Sequence, residues 1–170
     1  MKPLGGFVLV GRWEERGEGI VLAVPVETGG GVYARRFSLE LPKGVLKRME
    51  ADWLFPAHLL VEGELLPRRD SLALAPKRIT LLRGTAKSVN EAWGTFFVRE
   101  RLAESVYLAS SSPEEEETLF PLEVKAPLVP GRYYHLKGHL SPRVYERTGI
   151  FQVRLKASEA LEGLDFLLAG

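Results

Sequence analysis

The chain has 170 residues and a net charge of +1, with apolar residues at 45% and charged residues at 26%. This composition is typical of a globular protein and excludes a largely disordered chain, and no apolar run reaches the ~20 residues of a membrane helix. The absence of cysteine excludes disulfides, thiolate metal sites and cysteine nucleophiles.

Thermolabile residues are depleted. Asn and Gln occur once each, at Asn90 and Gln152, whereas Glu and Arg are plentiful, and this pattern indicates a thermophilic source. The first residues lack the apolar stretch of a secretory signal, so we expect a cytoplasmic location. Residues 1–84 carry 13 Lys and Arg against 10 Asp and Glu, and residues 85–170 carry 10 against 12. An anionic ligand is therefore expected on the first half.

Short strands punctuated by Gly and Pro are predicted along the first half. They cover residues 7–12, 20–26, 32–41, 59–66 and 72–82. Val45, Met49 and Trp53 recur at helical spacing and predict a helix over residues 44–53. Pro76 interrupts the last strand and predicts a sheet edge or a bulge there.

The second half repeats the order of these segments. VEGELLPR at 61–68 aligns with LKGHLSPR at 136–143, and FSLEL at 37–41 aligns with FPLEV at 120–124. IVLA at 20–23 aligns with VYLA at 106–109. Three matches in one order indicate a tandem duplication of a five-strand unit of about 85 residues, whose second copy has lost its helix.

Five short strands with a helix between the third and fourth predict an OB-fold, a small, partly open Greek-key barrel. The predicted class is therefore all-β, with two tandem OB-folds: residues 1–84 with the helix and residues 85–170 without it. An SH3-like barrel, a β-sandwich or one continuous ten-strand sandwich gives similar strand spacing and stays an alternative.

Three segments of the first half resemble parts of one protein family. FVLVGR at 7–12 and LLVEGEL at 59–65 look like the opening strand and the fourth strand of the bacterial single-stranded-DNA-binding proteins. YARRFSLEL at 33–41, followed by the predicted helix, resembles its third strand and helix. The resemblance spans most of residues 6–83 and is weaker beyond them. The family has a known variant with two OB-folds per chain, which is the form that this resemblance implies.

The resemblance implies sequence-independent binding of single-stranded DNA in replication, recombination or repair. It also implies a homodimer, because the family works with four OB-folds, and the long third strand offers an edge that pairing would protect. The sequence closes on LDFLLAG, where the family has a flexible acidic tail, and this departure favours a specialised paralogue.

Single-stranded nucleic acid is held by flat aromatic faces that stack on bases and by cations that meet phosphates. The candidate platforms of the first half are Trp13, Tyr33 and Phe55. Trp13 is the strongest because it follows the first strand's glycine in what we expect to be a polar loop. The cations near them in sequence are Arg12, Arg16, Arg35, Arg36, Arg68, Arg69, Lys77 and Arg78. Core packing is the alternative for each aromatic.

The second half offers a similar set. Its aromatic candidates are Trp93, Phe97, Tyr133, Tyr134 and Tyr145, and the arginines near them are Arg99, Arg101, Arg132, Arg143 and Arg147. The acidic run at 114–117 predicts a solvated hairpin loop, and the alternatives are a partner contact or a mimic of phosphate that guards a basic groove.

Enzyme motifs are absent from the sequence. It contains no Walker loop, no G-x-S-x-G elbow and no H-E-x-x-H motif. His135 and His139 share a strand face without a third placed ligand, so we predict no metal, no cofactor and no catalytic residue. The alternative function is a protein-interaction or assembly module on the same barrels, without nucleic-acid binding.

Overall fold

The computed structural model describes residues 3–16, 19–28, 30–39, 44, 47–48, 58–145 and 150–164. These residues form ten strands: β1 (Gly5–Arg16), β2 (Gly19–Thr28), β3 (Gly31–Leu39), β4 (His58–Arg68), β5 (Ser71–Leu82), β6 (Val89–Ala103), β7 (Val106–Ser110), β8 (Phe120–Val124), β9 (Arg132–Tyr145) and β10 (Ile150–Gly163). The predicted all-β class is confirmed.

The predicted helix at 44–53 lies mostly outside the described residues. Gly44, Lys47 and Arg48 are described and are helical, and the helix as a whole stays a prediction. In the second half, residues 125–131 connect β8 to β9 as a loop.

The chain forms two compact units. Unit 1 contains Met1–Gly6, Leu65–Ala73 and Glu91–Gly170, and unit 2 contains Phe7–Glu64 and Leu74–Asn90. The units are therefore interleaved in sequence, and the boundary between residues 84 and 85 stays a prediction.

Unit 1 contains a closed ring of five strands. β6 pairs antiparallel with β7 and with β9, β7 pairs antiparallel with β8, and β9 pairs antiparallel with β10. A parallel pairing of β8 with β10 closes the ring. Five strands closed into a small barrel are an OB-like arrangement.

The inside of this barrel is filled by alternate residues of its strands. Phe96 and Phe120 are fully buried and meet edge to face, with ring centroids 5.9 Å apart. Leu136 and Leu140 of β9 are also fully buried. Each such side chain contributes about 1.5–3 kcal/mol by leaving water, so the alternation of β6 and β9 fixes which face of each strand points outward.

Unit 2 has the same pairing order, and among its described residues no pair of β3 with β5 closes a ring. β2 pairs antiparallel with β1 and β3, while β4 pairs with β1 and β5. Among the described residues β5 has β4 as its one neighbour, which is the edge position that Pro76 predicts. Its core includes Leu9, Leu22, Phe37 and Leu59, all buried.

The repeat alignment matches strands in equivalent places, with one slip of register. Phe37 of β3 and Phe120 of β8 are both buried, as the alignment expects. However, Leu22 lies opposite Phe37, and Ala109 lies opposite Phe120. The equivalent of Leu22 is therefore Ala109 and not Leu108, and this shift of one residue exchanges the two faces of the strand.

Two glycines explain the clearest sequence match. A Cβ on Gly63 would lie 2.2 Å from the carbonyl oxygen of Ala75, and a Cβ on Gly138 would lie 1.9 Å from that of Lys156. Only glycine lets β4 approach β5, and β9 approach β10, this closely.

Candidate nucleic-acid interface

Unit 2 presents arginines on the outward face of its first three strands. Arg12, Ala23 and Arg36 lie directly opposite one another across β1, β2 and β3. Arg12 and Arg36 are exposed, and the Nε of Arg36 lies 3.2 Å from a carboxylate oxygen of Glu14. This ion pair partly neutralises the row, so its charge towards a ligand is small.

Trp13 lies on the opposite face. It belongs to β1, not to the expected polar loop, and it lies opposite Leu22, which in turn lies opposite Phe37. Trp13 is half-buried, and its Nε1 is enclosed without a hydrogen-bond partner among the described residues. Because Leu22 and Phe37 are core residues, this position favours packing over exposed base stacking.

Tyr33 is the exposed aromatic among the described residues of unit 2. Its side chain is 48% exposed, and its hydroxyl accepts a hydrogen bond from Arg35 Nη2 at 3.5 Å. On β5, Lys77 and Arg78 are exposed, and Lys77 Nζ lies 3.6 Å from Glu64. Tyr33 with Arg35 is therefore the one place in the described part of unit 2 where a predicted platform and a predicted cation meet.

Six further predicted residues lie apart from these groups or outside the described residues. Arg68 and Arg69 are exposed at the turn between β4 and β5 and belong to unit 1. Phe55 and Arg147 lie outside the described residues. Arg16 and Tyr145 lie at strand ends, and their side chains also lie outside what the structure describes.

Three predicted aromatics come together on unit 1. The outward residues of β6 and β9 form three successive cross-strand pairs, which we call the aromatic surface: Trp93–Lys137, Thr95–His135 and Phe97–Tyr133. The rings of Phe97 and Tyr133 meet edge to face with centroids 5.2 Å apart. Thr95 Oγ1 lies 3.3 Å from His135 Nδ1. The surface thus combines half-buried rings with the exposed side chains of His135 and Lys137.

Tyr134 and Arg99 have structural roles. Tyr134 is buried in the barrel, and its hydroxyl accepts the N–H of Val129 at 2.8 Å, so it is unavailable for stacking. Arg99 Nη1 donates to the carbonyl oxygens of Pro113 and Glu115, at 3.1 and 2.9 Å. Arg99 therefore orders the acidic loop.

The acidic loop is further organised by one of its own carboxylates. Glu115 accepts hydrogen bonds from the backbone N–H groups of Thr118 and Glu117, both at 3.0 Å. These bonds, that of Thr118 first, lower the pKa of Glu115 because they favour its charged form. The other glutamates of the run are exposed, so the predicted loop has an ordered backbone beneath a solvated edge.

A second group of charges, which we call the basic cluster, surrounds Glu123 of β8: Arg143 of β9 and Arg154 and Lys156 of β10. Arg143 Nη2 and Arg154 Nη1 both contact Glu123 Oε1, the latter at 3.3 Å. Lys156 Nζ lies 3.5 Å from Oε2. The parallel pairing of β8 and β10 places Lys156 directly opposite Glu123.

The basic cluster carries an excess of positive charge. Burial opposes ionisation of Glu123, but the charges of Lys156 and Arg143 outweigh it and hold the pKa of this carboxyl below its ordinary value. Glu123 is therefore ionised at neutral pH. Three cations around one anion leave a formal charge of about +2.

The sequence predicted one member of this cluster, Arg143. Glu123, Arg154 and Lys156 were missed, since they belong to strands that meet only through the barrel closure. The sequence carried one weak signal for two of them. Arg154 and Lys156 flank the apolar Leu155, and strand periodicity places both cations on the face opposite to it. The structure buries Leu155 fully.

Strand β9 joins the two groups. Tyr133, His135 and Lys137 lie in the aromatic surface, and Arg143 lies in the basic cluster, on the same alternate positions of one strand. At 3.3–3.4 Å per residue, the ten residue steps from Tyr133 to Arg143 span roughly 33 Å. One strand thus carries stacking groups at one end and cations at the other.

Comparisons with known proteins address the fold. No family model and no curated protein matches the chain. The wild-type single-stranded DNA binding protein from Thermus aquaticus matches in crystal structure with a TM-score of 0.65 and 16% identity, over 100% of this chain and 98% of that chain. A deletion variant of that protein matches with a TM-score of 0.60 and 15% identity, over 98% of both chains. At this identity the likeness establishes an OB-like fold of the same kind.

No group of three potential metal ligands occurs among the described residues. Nor does that part of the chain contain a helix long and apolar enough to cross a membrane.

Proposed function

We propose that the chain is a sequence-independent single-stranded-DNA-binding protein, made of two OB-like barrels and acting in DNA replication, recombination or repair. The observation that carries the proposal is the outward face of β9, which joins the aromatic surface to the basic cluster. The structural likeness to a DNA-binding protein from Thermus aquaticus supports it at the level of the fold.

Stacking and phosphate binding divide between the two groups. Each base that stacks on a ring contributes about 1–3 kcal/mol, and any base does so because every base has a π-face. Trp93, Phe97 and Tyr133 supply the rings, while Arg143, Lys156 and Lys137 supply cations for the phosphates. A duplex keeps its bases stacked inside, so it offers only phosphates to this surface and binds more weakly.

Unit 2 contributes a smaller site. Arg12 and Arg36 are exposed at the two ends of a row whose middle residue is the buried Ala23. Tyr33 is exposed beside Arg35. Because Glu14 neutralises part of that row, we place most of the phosphate binding on unit 1, against the expectation from the charge of the two halves.

The direct test is fluorescence anisotropy of labelled oligo-dT and of a duplex of equal length. We expect tight binding of oligo-dT and weaker binding of the duplex. Tyr133→Ala should weaken oligo-dT binding by roughly tenfold, in line with the loss of one stacked base. Arg143→Gln should weaken it too, whereas Arg101→Gln, an exposed arginine whose Nε donates to Ala103 O, should not. Equal affinity for both nucleic acids, or no response to either variant, contradicts the proposal.

We also propose that the protein is a homodimer. Among the described residues β3 has β2 as its one strand neighbour, and a strand at the edge of a sheet invites association with another strand. Light scattering at micromolar concentration should give twice the chain mass of 19.0 kDa. A stable particle of one chain mass contradicts the dimer and leaves the DNA proposal standing.

One observation favours the alternative of a protein-interaction module. Leu161 lies opposite His135 beside the aromatic surface and is 71% exposed, as apolar residues at protein interfaces often are. Leu161→Ser and Tyr133→Ala measured side by side separate the two functions. If Leu161→Ser changes the assembly state while neither variant changes the affinity for oligo-dT, the interaction module is favoured.

A further inference from the structure

Both carboxylate oxygens of Glu123 are engaged by cations. Arg143 and Arg154 share Oε1, and Lys156 faces Oε2. A phosphodiester also shares one negative charge between two oxygens, and both oxygens accept hydrogen bonds from guanidinium and ammonium groups. Glu123 therefore offers the cluster the same kind of partner that a DNA backbone would offer.

The cluster has an inner pair and outer cations. The side chains of Glu123 and Arg154 are 18% and 15% exposed, whereas those of Arg143 and Lys156 are 43% and 36% exposed. The inner pair belongs to the barrel wall. The outer cations remain accessible to an anion from solution.

We propose that Arg143 and Lys156, with the inner Arg154 behind them, form a phosphodiester-binding subsite in which Glu123 is the resident counter-anion, so that a DNA phosphate binds in competition with it. This inference rests on the proposed function and adds a regulation of its affinity. The resident carboxylate keeps the cations ordered in the free protein and weakens the complex with DNA, which favours release and redistribution along a strand.

The alternative role for Glu123 predicts the opposite effect. If Glu123 only orients the arginines and the lysine, then its loss disorders them and lowers the affinity for DNA. If it competes with phosphate, then its loss raises the affinity. Glu123→Gln separates these roles because its amide oxygen still accepts hydrogen bonds from the arginines while the negative charge is gone.

The experiment measures oligo-dT binding to the full chain by anisotropy over a range of salt concentrations. Glu104→Gln is the matched control, since Glu104 is an exposed glutamate in the turn between β6 and β7. We expect Glu123→Gln to bind about three- to tenfold more tightly than the wild type. Its slope of log affinity against log salt should be more negative by about 0.7, the contribution of one further phosphate on a single strand. Glu104→Gln should change neither quantity appreciably.

A double variant tests whether the freed cations cause the tighter binding of oligo-dT. Adding Arg143→Gln to Glu123→Gln should abolish the increase if the freed cations bind the phosphate. Unchanged or weaker binding by Glu123→Gln overturns the inference, provided that circular dichroism shows a folded protein. If Glu123→Gln does not fold, Glu123→Asp keeps the charge and draws the oxygens back by one methylene, and it should show a smaller gain. Failure of both variants to fold would assign Glu123 to the barrel wall alone and overturn the inference.

The outcomes distinguish this inference from the proposed function. If the wild type does not bind oligo-dT, the proposed function fails. If the wild type binds oligo-dT and Glu123→Gln does not bind it more tightly, the proposed function stands and only the inference that Glu123 competes with phosphate fails.

Discussion

Trp13 of β1 lies opposite the core residue Leu22 of β2, which in turn lies opposite the core residue Phe37 of β3. We therefore expect Trp13→Ala to lower the free energy of unfolding by about 2–3 kcal/mol, less than a fully buried Trp would cost because Trp13 is half-buried. Denaturant unfolding of the variant measures this. Arg12→Ala, on the outward face of the same strand, is the control and should stay within about 0.5 kcal/mol of the wild type. Unchanged stability with a tenfold loss of oligo-dT affinity would restore Trp13 as a stacking platform.

Glu123 makes a second residue-scale prediction, on pH. Its folded pKa lies below the ordinary value, so the ionised carboxylate stabilises the fold. This contribution is complete above the unfolded pKa, ~4.3 for glutamate, and is lost as the pH falls through the lower folded value. Glu123→Gln should therefore be less stable than the wild type at pH 7. Its unfolding free energy should also decline less steeply in acid.

Urea unfolding at a series of pH values from 7 down to about 2.5 checks this. Glu104→Gln should follow the wild-type curve in parallel. Identical acid limbs for Glu123→Gln and the wild type would show that the ion pairs of the cluster contribute nothing to stability.

At the scale of the element, Gly138 fixes the distance between β9 and β10. An alanine Cβ there would lie 1.9 Å from the carbonyl oxygen of Lys156, and backbone cannot move aside as a flexible side chain can. We expect Gly138→Ala to destabilise the protein by about 3 kcal/mol or shift the strand pairing. Gly163→Ala, on the same hairpin with nothing within 4 Å of its Cβ, should be nearly neutral in thermal unfolding. Equal melting temperatures would contradict the close approach.

The strands were more predictable than their faces. The match of residues 61–68 to 136–143 has the correct register because glycine and alternating apolar residues fix it: Val61 and Leu136 are both fully buried. The match of 20–23 to 106–109 is one residue out, because every residue of the run from Ile20 to Val24 is apolar and shows no alternation from which a face could be read.

The basic cluster was beyond local pattern analysis. Glu123 and Lys156 are far apart in sequence and meet through a parallel strand pairing. Neither a hairpin turn nor helical spacing in the sequence predicts that pairing. By contrast, Phe97 and Tyr133 were both predicted as candidates from their residue type and their arginine neighbours. What the sequence lacked was the pairing of β6 with β9 that brings the two rings together.

For the whole molecule, a net charge of +1 means that its overall field attracts nucleic acid only weakly. Binding must then depend on local groups, and the basic cluster with Lys137 offers enough cations for about three phosphates. At about −0.7 per phosphate on a single strand, log affinity for oligo-dT should fall against log salt with a slope of about −2. Between 50 and 200 mM salt the affinity should drop roughly 15- to 20-fold.

Anisotropy titrations at four or more salt concentrations give this slope. Arg143→Gln should make it shallower by about 0.7, the share of a single phosphate contact, whereas Arg101→Gln should leave it unchanged. Stacking on Trp93, Phe97 and Tyr133 is insensitive to counterions, so Tyr133→Ala should lower the affinity equally at every salt concentration and preserve the slope. A wild-type slope near zero would mean that no phosphate is neutralised, and a slope altered by Tyr133→Ala would mean that the rings and the cations do not act as separate parts of one surface.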